Sequence, residues 1–245
     1  MTQAPDRPAP KIVTGAEYVQ QINARPSDRR ARKGFRDLVL STVRPGATLF
    51  DFGCGTGLDA RFYAERGFAV RAYDVDRAMC EFFSVHCRDM IEAGRVTLEN
   101  GAYRDFLTRS HAGVGDVDLV TANFAPLNLI EDLRELFAAF HALTAPNGKV
   151  LASVLSPYFL GDLRYRWWWR NLPLLLRDGR YSVAGAQAPI VRRRLADFAA
   201  QGAPYFTLEK VFRGSPRRQG GSVGLSTCRF LFLLFARRAR NDRGQ

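Results

Sequence analysis

The chain has 245 residues, 47% of them hydrophobic, and carries 36 Lys+Arg against 24 Asp+Glu. That suits one soluble α/β domain with a sizeable core, and no apolar run approaches the ~18–20 residues a spanning helix needs. The charge is unevenly placed: residues 1–150 hold 19 basic and 19 acidic groups, residues 151–245 hold 17 and 5, which points to an acidic substrate, an anionic surface or nucleic acid, or else to a solvated basic face.

In chain order, the opening MTQAPDRPAP is polar and proline-rich, neither a signal nor a transit peptide, so a cytoplasmic protein is expected. Residues 14–43 read as one helix with an Arg-rich polar face, broken by RPGA. TLFDF is a buried strand, LDARFYAERG a helix, FAVRAYD a second strand and DRAMCEFFSVHCRDMIEAG a second helix. RVTLEN, DVDLVTANF and PNGKVLASVL follow as strands three to five, with LIEDLRELFAAFHALT an amphipathic helix before the last and a turn at Asn147-Gly148. The alternation predicts a parallel sheet covered on both faces. It stops at residues 156–203, which are aromatic, basic and irregular, and two final runs, PYFTLEKVFRG and STCRFLFLLFARR, can pair as an antiparallel hairpin at the sheet edge. The expected fold is a Rossmann-like, doubly wound α/β sheet of about seven strands with the last antiparallel. RRARNDRGQ at the end is expected to be a disordered tail. Cys54, Cys80, Cys87 and Cys228 show no paired metal spacing, so free thiols and no metal are expected.

The chemistry concentrates in DFGCGTG, residues 51–57. A loop after the first strand of such a sheet lies at the ligand-binding end, and Gly53, Gly55 and Gly57 permit close approach. Leu58 stands where the dinucleotide fingerprint wants glycine, and no Gly-Lys-Ser/Thr follows for a phosphate loop. Asp51 argues further against phosphate, which a neighbouring carboxylate repels. The same carboxylate suits a cation. S-adenosylmethionine carries an ammonium and a sulfonium and no phosphate. Asp74 ends the second strand 23 residues later, about the spacing at which an acid reaches a ribose diol.

These residues resemble the class I S-adenosylmethionine-dependent methyltransferases, over about residues 46–155 and in the last two strands. The D-x-G-x-G-x-G run at 51–57 is similar to that family's first motif and YDVD at 73–76 to its second. The resemblance implies that Asp51 with the loop residues Gly53, Cys54, Gly55, Thr56 and Gly57 holds the methionine portion, that Asp74 binds the ribose, and that Val75 packs beside adenine. Ala102 stands where the family often has an acid, so adenine would rest on backbone groups of Ala102 and Tyr103. Asn123 and Phe124 fall where family members line the transfer site. The resulting division is a helical segment (1–45), a cofactor-binding core (46–155), a substrate lid (156–203), a strand pair (204–237) and a tail (238–245).

His86, His111 and His141 fall at helix ends or strand starts, away from the ligand, so no catalytic base is assigned. Tyr158, Asp162, Arg164, Tyr165 and Trp168 leave the sheet at its ligand end and are the candidate substrate residues. Three consecutive tryptophans cannot share one helix face, so at least one is expected outside or over a ligand. The leading expectation is methylation, at oxygen or nitrogen, of a small, largely apolar metabolite in biosynthesis. A peripheral membrane enzyme acting on a lipid or isoprenoid is the alternative. An RNA or DNA methyltransferase ranks lower, because ANFAPL lacks an Asn/Asp-Pro-Pro-aromatic run and no Pro-Cys nucleophile is present. A cofactor-binding protein without turnover is the last reading.

Overall fold

A computed structural model describes residues 14–109, 115–184, 189–214 and 225–238. His111, the opening MTQAPDRPAP and nearly all of the expected tail lie outside the described residues. Helix α1 (Gly15–Ala24) starts at a capping box between Thr14 and Glu17. It ends at Arg25, because Pro26 forces the residue before it out of helical geometry. Pro26 then opens α2 (Pro26–Thr42) at its first turn. The single helix expected over 14–43 is therefore two.

The core follows as β1 (Thr48–Phe52), α3 (Leu58–Ala64), β2 (Ala69–Asp74), α4 (Arg77–His86), α5 (Arg88–Glu92), β3 (Val96–Asn100), α6 (Tyr103–Thr108) and β4 (Val117–Ala122). Cys87 splits α4 from α5 where one helix was expected; the residue is fully buried and its thiol donates to the Gly57 carbonyl at 3.6 Å. After α7 (Arg134–Leu143), β5 (Thr144–Leu155) absorbs the Asn147-Gly148 turn as a bulge, since Val117 pairs with Thr144 and Leu119 with Lys149. Then come α8 (Arg166–Asp178), the hairpin β6 (Arg180–Val183) and β7 (Ile190–Arg193), α9 (Leu195–Gly202), β8 (Phe206–Arg213) and β9 (Phe230–Arg237).

The main sheet has seven strands in the order β3-β2-β1-β4-β5-β9-β8. β1 to β5 are parallel and β9 runs antiparallel to both β5 and β8, as the two apolar runs predicted. The order reverses between β1 and β4, so the loops after those strands flank one crevice. Both faces of the sheet are covered. Phe50 and Phe52 turn into a cluster with Phe106, Phe137 and Phe140, whereas Leu49 turns into one with Phe35, Tyr63 and Phe83. The unbroken FLFLLF of β9 has the same cause: Phe230, Phe232 and Leu234 face one cluster, Leu231, Leu233 and Phe235 the other. No helix among the described residues is long and apolar enough to cross a membrane.

Candidate active site

The loop after β1 takes its shape from left-handed backbone at Gly53, Gly55 and Gly57. A Cβ at Gly57 would lie 2.7 Å from the Phe83 ring and 2.8 Å from the Cys87 sulfur, so this glycine lets α3 pack against α4. A Cβ at Gly55 would meet nothing within 4 Å, so here the loop faces open space. The β2 end fastens the loop. Gly53 and Cys54 N–H groups donate to the Tyr73 carbonyl, and the Gly55 N–H donates to Asp74 at 2.7 Å. The other Asp74 oxygen accepts from the Asp76 N–H at 2.9 Å. Burial pushes the Asp74 carboxyl up despite these donors.

Asp51 is 2% exposed and accepts a hydrogen bond from the Thr121 hydroxyl at 2.8 Å. Among the described residues no cation pairs with it. Burial, with Asp59 nearby, pushes its carboxyl from the ordinary 3.8 up to about 7. Asp59 has the opposite environment. Arg36 meets it at 2.6 Å, Arg32 at 3.2 Å and the Asn123 amide at 2.9 Å. Burial alone would raise its carboxyl, but the two guanidiniums and the amide outweigh that and hold it below the ordinary value. Arg32 and Arg36 sit four apart on α2, so this cluster pins the N-terminal helices over the glycine loop.

Past β4 the chain turns sharply. Phe124 and Ala125 both take positive φ, at 60° and 67°, a strained conformation for non-glycine residues. The turn is held by the Asn123 side chain accepting from the Phe124 N–H, and by the Ala125 N–H donating to Ser153. It sets the Phe124 ring edge-on to Phe230, beneath the Arg32 guanidinium. Beside it opens a cavity of about 260 Å³, lined from α1 and α2 by Tyr18, Ile22, Arg25 and Asp28, and from the sheet's ligand end by Phe124, Leu155, Arg229 and Phe230, with Ile190 of β7. Burial pushes the Tyr18 hydroxyl up to about 12, and the acids Asp59, Asp74 and Asp28 add to the effect. Tyr18 thus stands between the glycine loop and the cavity.

A methyltransferase-domain family model matches residues 21–187. This chain belongs to the methyltransferase-domain family. That membership agrees with the expectation of S-adenosylmethionine-dependent methyl transfer drawn from the glycine loop and Asp51. It is 27% identical over 143 residues to a malonyl-[acyl-carrier protein] O-methyltransferase of Serratia marcescens, covering 55% of this chain and 48% of that protein. The chain therefore spans about half the length of the curated relatives it matches. In fold, the methyltransferase is similar to a TehB-like SAM-dependent methyltransferase of Corynebacterium glutamicum, with TM-score 0.60, 16% identity, and coverage of 91% of this chain and 98% of that one. It is also similar to the Burkholderia thailandensis 1,6-didemethyltoxoflavin-N1-methyltransferase, solved with S-adenosylhomocysteine, with TM-score 0.61, 18% identity, and coverage of 92% and 87%.

The remaining expected site residues of the methyltransferase are distributed unevenly. Cys54 is half-buried, with a thiol pushed up by burial and by Asp51, and Thr56 is buried. Val75 is 56% exposed and Ala102 is exposed, whereas the Tyr103 ring packs into the core against Phe52. Tyr103 can therefore offer the crevice only its backbone. None of the candidate substrate residues lines the described cavity. Trp168 is buried and donates its indole N–H to the Pro157 carbonyl, and Asp162 is buried against Arg192 at 3.2 Å. Tyr165 stacks on Trp167 and bonds to Arg164, while the Tyr158 carbonyl accepts from Ser226. His86 stacks on Phe82, His141 meets Tyr205 at a tilt, and neither lines the cavity. Asp59, Arg32 and Arg36 were missed, as were Tyr18, Ile22, Arg25, Asp28, Ile190 and Arg229; their one early signal was arginine at helical spacing in residues 25–36.

Proposed function

We propose that this methyltransferase acts on a small, largely apolar acceptor bearing an anionic group, bound in the cavity beside Phe124. One observation carries the reading: a mainly apolar lining sets two guanidiniums, Arg25 and Arg229, against the single carboxylate of Asp28, and neither arginine makes an ion pair among the described residues. The O-methyltransferase relatives and the small-molecule methyltransferase of similar fold agree with it. The cofactor supplies an electrophilic methyl group when bound.

Asp51, buried with no cationic partner, suits the ammonium of the methionine portion, and the open side of Gly55 leaves room for its backbone. Asp74 retains lone pairs for a ribose hydroxyl beyond its two backbone donors. Val75 and the backbone of Ala102 and Tyr103 would border adenine, and Asn123, spent on Asp59 and the turn, acts by placing Phe124. Phe124, Phe230 and Leu155 would exclude water, and the two arginines would hold the acceptor in one orientation toward the glycine-loop crevice. An acceptor that binds ionised already offers its lone pair and needs no base, which fits the absence of any described histidine from the lining. For a neutral hydroxyl, Asp28 is the buried carboxylate that could take the proton. Of the described residues between 156 and 203, Ile190 reaches the cavity lining, so this segment would cover the acceptor there and not through α8.

The test is transfer of labelled methyl to a panel of aromatic and aliphatic acids and their neutral amides. Acids should be preferred, and Arg25→Ala with Arg229→Ala should raise the acceptor KM by about tenfold or more while leaving cofactor affinity unchanged. Equal use of acids and amides by the wild type would remove the anionic group from the proposal.

A further inference from the structure

Nine large apolar side chains are exposed among the described residues, and five of them, Leu160, Trp169, Leu174, Leu176 and Leu225, come from two adjoining segments. The segments are joined where Leu160 N–H donates to the Ser226 carbonyl and Ser226 N–H to the Tyr158 carbonyl. Helix α8 supplies most of this surface. It packs inward through Trp168 and Leu175, which are 4% and 0% exposed. Trp169, Pro173 and Leu176 occupy positions i, i+4 and i+7 on another face, all exposed. The Trp169 indole N–H is satisfied by the Leu163 carbonyl at 2.7 Å, so the half of the ring left outside is purely apolar.

Arg166, Arg170 and Arg177 project next to this stripe, and Arg180 follows the helix end. Arg166, Arg170 and Arg180 make no ion pair among the described residues, and Arg177 meets only its neighbour Asp178. The other acid of the segment, Asp162, is buried against Arg192. The face is thus an apolar ridge with a cationic margin and a single exposed acid. It adjoins the active site as well, because the segment from Leu225 leads to Arg229 and Phe230 of the cavity lining.

We infer that α8 and the Leu160/Leu225 corner form a docking face for an anionic lipid surface, with α8 lying in the headgroup plane. Trp169 and Leu176 enter the acyl boundary, and the arginines meet lipid phosphates while their stems cover apolar surface. A protein partner would need a pocket shaped for the protruding indole; a bilayer takes it without one. The face lies outside the cavity, so this inference stands separately from the choice of acceptor.

The test is sedimentation of the full chain with phosphatidylcholine vesicles, with and without phosphatidylglycerol. Anionic lipid should raise partitioning on the order of 100-fold at low salt, the sum of three unpaired arginines near the surface, with most of the gain lost at high salt. Brominated lipid should quench tryptophan emission, and Trp169→Phe should remove most of that quenching. Leu176→Glu should lower partitioning by about tenfold with cofactor affinity unchanged, which shows that the fold is intact. No sedimentation of the wild type, or equal sedimentation of Leu176→Glu, overturns the inference. Retention on an acidic protein without lipid binding overturns it too, and gives the face to a protein partner.

Discussion

The glycine-loop crevice and the cavity beside it share the Phe124 turn, yet they are assembled by different means. The crevice is built from backbone: positive φ at three glycines, N–H groups on Tyr73 and Asp74, and one buried acid, all within residues 51–76. The cavity is built from side chains contributed by positions between 18 and 230. Local backbone geometry leaves a spacing that can be read; a wall gathered from five separate segments leaves none. The Asp59 cluster is where the two meet.

Removing that junction should have the largest effect. Asp59→Ala strands Arg32 and Arg36, which are 11% and 19% exposed, and should cost about 3–5 kcal/mol of stability, read by chemical denaturation, with loss of both cofactor and acceptor binding. Asp51→Asn should separate the two halves. Cofactor affinity should fall by about 100-fold in calorimetry, on the order of 2–3 kcal/mol for a buried charge pair, while the cavity keeps its shape.

The same residue sets a pH dependence. An acid raised in the folded state contributes stability that is complete below its ordinary 3.8 and is lost as pH rises through about 7. The ligand-free protein should therefore lose stability across that window, and Asp51→Asn should melt higher than the wild type at pH 8. Binding a cation requires the charged form, so cofactor affinity should fall by about tenfold per pH unit below 7, with a proton released on binding. Titration in buffers of different ionisation enthalpy measures that proton; its absence would separate Asp51 from the ammonium. On the cavity side, Ile190→Trp should raise the acceptor KM by about tenfold and leave cofactor affinity within about twofold. The smallest effect is expected at the surface pair Lys33–Asp37, where Lys33→Ala should change stability by no more than about 0.5 kcal/mol.

What could be read in advance follows the same division. TLFDF, the glycine loop and the apolar run of β9 are legible because a strand buried on both faces allows little but apolar residues. The parallel run of β1 to β5 followed from strand–helix alternation, and the antiparallel pairing of β8 with β9 from the two closing apolar runs. Helix boundaries were harder: the periodicity of residues 14–43 continues across Arg25-Pro26, and only the proline signals the break. Helix α8 was hidden by Pro173, which removes a bond to the Trp169 carbonyl without ending the helix. Arg192 and Arg193 look like part of a solvated basic face, yet they are 7% and 0% exposed, because Asp162, Asp197 and the carbonyls of Ser156, Ile130 and Glu131 meet them. Asp197 lies four residues beyond Arg193, but only tertiary structure brings up the other partners.

The position of β9 has a consequence for biogenesis. Residues 230–237 leave the ribosome after the other six strands of this sheet, yet they fill an interior slot between β5 and β8. Until they arrive, β5 shows a bare edge and β8 has no neighbour in the sheet, so the nascent protein passes through a stage with sticky, unpaired backbone. Closing the sheet then joins strands far apart along the chain, a slow kind of contact, and truncation before Phe230 would prolong that exposure indefinitely.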